Sequence, residues 1–387
     1  MDFTYDSEQN DLREAVAALL ARAYGDSEVR RKVTKTDPGF DEKVWTQLAE
    51  MGLLGLPFAE EHGGAGAGPV EVAIVAEEIG RVLAPEPFVE AVVLAGGLIN
   101  RVGSDAQKSE LLTALSEGSS IPTFAHTEIG SRWTPTASAV TATEAGDSWT
   151  LSGVKEPVPH GARADVLVVS AALPGGGTGL FVVNGDASGL TRSGYRNIDG
   201  TRSANVRFDS TPAAPLGEGG DQTDAIERAL AVGRIAYSNE AVGAMDTALR
   251  TTVEYLKTRK QFGVTLNKFQ ALNFRAADMY MSLELARSIA LWATVVRDDR
   301  RGRRLRRRPR PAAHQPRRPP HRQGRHPAAR WHRCDRRVQG RALHRPAHRH
   351  RPPAGRRRLR RRPAGGEGRR LPDGRPAGRP VRLIGSP

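Results

Sequence analysis

The chain has 387 residues, enough for two or three packed domains, and a formal net charge of +15. That average conceals two unlike parts: residues 300–387 hold 31 arginines, no lysine and three acids (Asp335, Glu367, Asp373), a surplus of 28 positive charges, so residues 1–299 carry −13. One cysteine, Cys334, excludes an intrachain disulfide framework; the start Met-Asp-Phe-Thr-Tyr-Asp lacks the regions of a signal peptide, and no apolar run reaches membrane-spanning length, so a cytoplasmic protein is expected.

Residues 6–24 read as an amphipathic helix with Leu12, Val16, Leu19 and Leu20 on one face and Asp6 or Ser7 as its cap. A second helix is expected around 41–51, carrying Val44, Trp45, Leu48 and Met51. The glycine-rich stretch 61–68 lacks the Lys-Ser/Thr of a P-loop and the strand-and-helix frame of a dinucleotide fingerprint, so it is not expected to cradle phosphate. Val70–Val82 and Phe88–Val102 give further helices, and 1–119 read as an all-α domain.

The texture changes at Ser120. Short alternating runs follow at Ala139–Ala142, Trp149–Leu151, Val166–Ala171, Gly179–Asn184 and Val206–Asp209, separated by Gly, Pro, Asn and Asp. Residues 120–221 therefore read as a β-domain. Helical spacing returns over 222–299: Ala229, Val232, Ile235, Ala236, Val242, Met245, Leu249 and Val253 lie on one long helix, and a second run passes Ala276, Met279, Leu283 and Leu291. Gly263 breaks the two apart, which predicts helix, tight turn, helix. From 300 to 387 the composition of Arg, Pro, Gly, Ala and His cannot bury a core, and the segment reads as a disordered tail. Taken literally, such a polycation would bind nucleic acid electrostatically; aromatic residues are absent except for Trp331, so base stacking is not indicated.

The turn between the two long helices carries a guanidinium (Arg259), an amide (Gln261) and an aromatic ring (Phe262). Arginine grips phosphates in a bidentate way, but Arg and Lys before a Gly also suit an ordinary helix C-terminus. The string YLKTRKQFG, followed by Phe269-Gln270, resembles the signature of the acyl-CoA dehydrogenase family, and the run Leu54-Gly55-Leu56-Pro57 followed by Gly63-Gly64 resembles its N-terminal domain. The resemblance covers about residues 1–299. It implies an α+β fold: an N-terminal helical domain, a central β-barrel-like domain and a C-terminal helical bundle. It also implies FAD as cofactor and no metal. Arg259, Gln261 and Phe262, with Gln270 close by, would face the pyrophosphate and adenine side of an FAD held mainly by a neighbouring subunit.

Two flavin-contacting motifs of the family are altered here. Its T-E-P-x-A-G-S-D-like loop is shortened to Thr127-Glu128-Ile129-Gly130-Ser131-Arg132, which leaves Thr127 and Ser131 in the matching places. Its G-x-K-x-W-I-T-N becomes Gly153-Val-Lys155-Glu-Pro157-Val-Pro159-His160, with Pro157 in the Trp position and Pro159 in the Thr position. Proline offers neither hydroxyl nor N–H to a flavin ring. Either His160 or the backbone takes over, or this subunit holds flavin poorly.

The family's reaction needs a carboxylate to take the α-proton. Many members supply it from the late C-terminal region, and nothing in 300–387 matches that context. A minority place it on the helix before R-x-Q-F-G, where the corresponding residue is Gly233. Glu240, about two turns further along the same face, is the candidate base; the alternative is a buried or interface glutamate paired with an arginine.

The tail also has a genetic reading. Codons for His326–Gln339, read one base later, permit IQLHGGIGVTAEYK, which resembles the family's I-Q-x-H-G-G-x-G segment, and a GC-rich gene out of frame yields Arg, Pro and Ala without Lys. A frameshift near Asp299 would remove the last helices of the bundle and leave apolar faces of 225–255 and 270–295 uncovered. The resemblance implies an enzyme that dehydrogenates an acyl-CoA, passes electrons to an electron-transfer flavoprotein, and assembles as a homo- or hetero-oligomer with another subunit of its kind. Alternative readings are a catalytically silent or truncated subunit of a heteromeric enzyme, as in actinobacterial steroid side-chain degradation, and a nucleic-acid binder acting through the tail.

Overall fold

The computed structural model describes residues 4–131, 134–146 and 148–302. The expectations for the arginine-rich tail, the shifted reading of His326–Gln339 and any nucleic-acid binding all fall outside the described residues, as does Arg132.

Asp6 accepts a hydrogen bond from the N–H of Gln9, and the Gln9 side chain accepts one from the N–H of Asp6; this capping box starts α1 (Ser7–Tyr24). The short α2 (Ser27–Val33) has no buried residue and so gave no apolar period to read. Asp41 caps α3 (Glu42–Glu50), and Gly68 leads into α4 (Pro69–Val82), whose residues 72–80 are buried all round. The helix expected over 88–102 is two pieces, a π-helical segment (Phe88–Gly96) and α5 (Gly97–Val102). A further helix, α6 (Asp105–Ser116), buries only Leu112, Leu115 and Ser116, too sparse a pattern to read from the sequence.

Seven strands follow: β1 (Pro122–Ala125), β2 (Thr141–Ala145), β3 (Ser148–Pro159), β4 (Val166–Ala172), β5 (Thr178–Asn184), β6 (Leu190–Arg196) and β7 (Arg202–Pro215). Five of them close a ring in the order β4, β2, β3, β7, β5 and back to β4, while β1 flanks β4 and β6 flanks β7. The barrel-like expectation is met. Its interior holds Val140, Leu151, Val158, Leu167, Val169, Phe181, Val206 and Phe208. Strand β4 is buried on both faces, because Val168 and, on β5, Leu180 join the core formed by Phe58, Phe88 and Leu115 of the helical part. Sequence reading missed β1, which is only four residues long, and β6, which is mostly exposed.

A buried ion pair pins the loop before β2 onto the sheet. Lys155 Nζ, 0% exposed, lies 2.7 Å from Glu128 Oε1 and also donates to Ser170 Oγ and the His126 carbonyl, each at 3.1 Å. Glu128 accepts in addition from the N–H groups of Ser138, Ala139 and Val140. Burial alone would push this carboxyl up, but Lys155 and these N–H donors outweigh it and hold the group down at about 2.

The long α7 (Thr223–Thr258) crosses α4 with no side chain between them at two points. A Cβ on Gly80 would lie 1.8 Å from the Glu240 carbonyl oxygen, and one on Gly243 would lie 1.9 Å from that of Glu77. Beyond α7 the expected tight turn is a small hairpin, β8 (Lys260–Gln261) and β9 (Val264–Thr265). Phe262 (φ 53) and Gly263 (φ 79) occupy its two central positions, both in the left-handed region. Then α8 (Gln270–Gly302) packs Leu283, Ala286 and Ala290 on Val242 and Leu249 of α7. Its outer face exposes Phe274, Tyr280, Met281, Leu285, Ile289 and Trp292. The uncovered apolar face expected over 270–295 is present, whereas that of 225–255 is largely covered by α4 and the π-helical segment, which leaves Tyr255 exposed.

Removing one partner of the Lys155–Glu128 pair strands a desolvated charge. Glu128→Gln is expected to cost about 3–5 kcal/mol of stability, read from the denaturant midpoint, against a negligible change for the exposed Glu144→Gln.

Candidate active site

The hairpin β8–β9 projects the motif side chains into solvent. The backbone of Arg259 is held at both ends, its N–H by the Tyr255 carbonyl and its own carbonyl by the Leu266 N–H, each at 2.9 Å. Its guanidinium makes no ion pair among the described residues. Gln261 uses one amide hydrogen on the Lys260 carbonyl, and Phe262 is 91% exposed with only an edge contact to Phe269. Gln270, at the start of α8, is also exposed. Arg259, Gln261, Phe262 and Gln270 are thus all exposed, on the hairpin and at the start of α8, and offer a guanidinium and amide groups to solvent.

The β-domain candidates differ in availability. The Thr127 hydroxyl makes no hydrogen bond among the described residues, although its carbonyl accepts from the Glu156 N–H at 2.8 Å. Ser131 Oγ is engaged inside its own loop, donating to the Glu128 carbonyl at 2.9 Å and accepting from the Glu128 N–H at 3.2 Å. Pro157 and Pro159 lie half-buried on β3, and the Pro159 carbonyl accepts from Thr123 Oγ1 at 2.7 Å. His160 ends the strand in the left-handed region (φ 53), with its N–H on the Arg202 carbonyl. Its ring is buried edge-on against Phe40, and Nδ1 has no partner among the described residues. Burial holds the imidazole neutral by pushing its pKa down. His160 lies past the end of β3, and its ring is packed on Phe40.

Glu240 sits on α7 above the Gly80 crossing. The arginine partner weighed for it is not there: its side chain has no ion pair among the described residues, and the charges that act on it are acids. Burial, then Glu90 and Asp199, push its carboxyl up to about 8, so at neutral pH it holds its proton and above that it becomes a base. One turn before it, Tyr237 donates to Glu90 Oε1 at 2.9 Å. Glu90 and Asp199 also face His160. Sequence reading missed Glu90, Tyr237 and Asp199, because the contacts that join them span 147 residues in the case of the tyrosine and its carboxylate. Gly233 is pressed against Leu94, whose Cδ2 would lie 2.5 Å from an added Cβ. Among the described residues no group of three or more His, Cys, Asp or Glu side chains could hold a metal, and no helix is long and apolar enough to cross a membrane.

Because the Arg259 guanidinium makes no ion pair among the described residues and the Gln261 amide bonds only the adjacent Lys260 carbonyl, Arg259→Ala and Gln261→Ala are expected to shift stability by less than about 0.5 kcal/mol in a denaturant titration. Any larger functional effect then belongs to a ligand or partner.

The sequence matches the acyl-CoA dehydrogenase N-terminal domain over residues 6–119 and the acyl-CoA dehydrogenase C-terminal domain over 223–311. A short-chain-specific acyl-CoA dehydrogenase from Megasphaera elsdenii is 30% identical over 317 residues, 77% of this chain and 82% of its own. A variant of the Tcur3481–Tcur3483 steroid acyl-CoA dehydrogenase superposes with a TM-score of 0.69 at 34% identity, covering 76% of this chain and 78% of its own. The ChsE4–ChsE5 complex from Mycobacterium tuberculosis gives 0.70 at 26% identity, covering 78% and 80%. By its matched domains, its barrel between two sets of helices and its relatives, the chain belongs to the acyl-CoA dehydrogenase family, FAD-dependent oxidoreductases acting on CH–CH groups.

Proposed function

We propose that this chain is a subunit of an acyl-CoA dehydrogenase that introduces an α,β double bond into an acyl-CoA thioester and passes the electrons on to an electron-transfer flavoprotein. The observation that carries the reading is Glu240, a desolvated carboxyl without a cationic partner, on the helix that runs into the Arg259–Phe262 hairpin. Its raised proton affinity suits a base that works near neutral pH and slightly above it.

The residues fit FAD at one end only. Arg259, Gln261 and Gln270 are exposed and offer a guanidinium and amides to a pyrophosphate and nucleotide. At the ring end Pro157 and Pro159 offer no side-chain or N–H donor, Ser131 is engaged in its own loop, and the Thr127 hydroxyl and the buried His160 Nδ1 are without a partner among the described residues. In this family FAD supplies the acceptor for the hydride leaving Cβ. The task left to this chain is the other half of the reaction: the Glu240 carboxylate takes the proton from Cα, the electron pair of that bond forms the double bond, and the proton stays on the Glu240 oxygen.

A second reading has its own support. The two prolines at the ring end suit a subunit that lends its hairpin to a nucleotide held by an unlike partner and does not turn over substrate itself.

The purified chain separates the two. A yellow protein whose flavin is bleached by acyl-CoA supports the first; a colourless chain that gains activity only with a second subunit supports the other. In the flavin-loaded enzyme, Glu240→Gln is expected to lower kcat/KM by about 10²–10⁴-fold. Since the base must first lose its proton, kcat/KM of the unaltered enzyme should rise with pH through about 8. Undiminished turnover by Glu240→Gln excludes Glu240 as the base.

A further inference from the structure

Glu90 and Tyr237 border Glu240 without a part in the proton transfer proposed for it. Tyr237 and Glu240 are three residues apart on α7 and share a face of that helix. The Tyr237 phenol reaches across to the π-helical segment and donates to Glu90 Oε1 at 2.9 Å. Glu240 makes no hydrogen bond through its side chain among the described residues.

The charges facing Glu240 come from two elements and have one sign: Glu90 from the π-helical segment and Asp199 from the turn between β6 and β7. Helix α4 packs on the same turn of α7 but meets Glu240 with the backbone of Gly80. The charges of α4 lie elsewhere, with Arg81 joined to Glu77, Glu78 and Asp246. On α8, Arg287 is joined to Glu284 and Asp246. His160, at the end of β3, faces Glu90 and Asp199 as a neutral ring.

A charged carboxylate close to a second carboxyl raises the cost of ionising it. We propose that Glu90 and Tyr237 are positioning residues for Glu240: the phenol fixes the Glu90 carboxyl by its hydrogen bond, and the acid so placed leaves the proton on Glu240. The inference rests on Glu240 being the base, and it gives that base a setting imposed by the N-terminal helices. Removing the charge at position 90 releases Glu240 to ionise at lower pH. Removing the phenol acts in the same direction, because the hydrogen bond that fixes Glu90 across from α7 is lost.

The test is a pH titration of the full chain by difference infrared spectroscopy, following the carboxylic C=O band that Glu240→Gln abolishes. Glu90→Gln is expected to lower the midpoint of that band by about one pH unit or more, a tenfold change in proton affinity. Tyr237→Phe should lower it by less, and the exposed Glu144→Gln should leave it in place. An unchanged or raised midpoint in Glu90→Gln overturns the proposal; if that variant does not fold, an unchanged midpoint in Tyr237→Phe does so. The readout needs no turnover. If Glu240→Gln remains fully active while Glu90→Gln still lowers the midpoint, the base assignment fails and the coupling stands. If Glu240→Gln is inactive and neither variant moves the midpoint, the base assignment stands and the coupling fails.

Discussion

The distance between α4 and α7 governs the rest of the molecule. At Gly80 and Gly243 the two helices meet backbone to backbone, and any side chain at either place would overlap a carbonyl oxygen. That approach sets the depth of Glu240, which is carried on the turn of α7 that touches Gly80. It also brings α7 near enough to the π-helical segment for Tyr237 to reach Glu90. A wider crossing would admit water beside Glu240, and with it the desolvation that separates this carboxyl from an ordinary surface glutamate would go.

Two kinds of electrostatic environment occur within one domain pair, and their difference is instructive. Glu128 is buried with a lysine and three N–H donors and holds its charge. Glu240 is half-buried among acids and holds its proton. The first serves to fix a loop on a sheet; the second is poised to change state. Desolvation acts on both, so the groups around each carboxyl decide whether it keeps a charge or a proton.

Most of the architecture was legible because it is local. Caps such as Asp6 and Asp41 announce helix starts, and short apolar runs between Gly, Pro, Asn and Asp mark β4 and β5. What escaped reading was either short, as α2 and β1 are, or lacked an apolar face, as β6 does. The split of 88–102 into a π-helical segment and α5 escaped for another reason: nine residues buried almost throughout leave no periodicity to distinguish one helical pitch from another. At the site, the exposed hairpin residues and Glu240 could be named from sequence pattern. Their surroundings could not, since Glu90, Asp199 and Tyr237 meet only through the tertiary fold, and the turn of His160 toward Phe40 depends on a left-handed backbone that a histidine seldom adopts.

The hairpin turn carries an implication for engineering. A pair of left-handed residues at the tip of such a hairpin is best served by Asn-Gly, and a bulky ring at the first position carries backbone strain. Phe262 gains little within its own chain to offset that, a single edge contact with Phe269. Selection for thermal stability of the isolated chain would therefore discard this phenylalanine early, replacing it with asparagine or glycine. Such a variant would be a better-behaved protein in the tube and a worse member of any assembly that grips the ring.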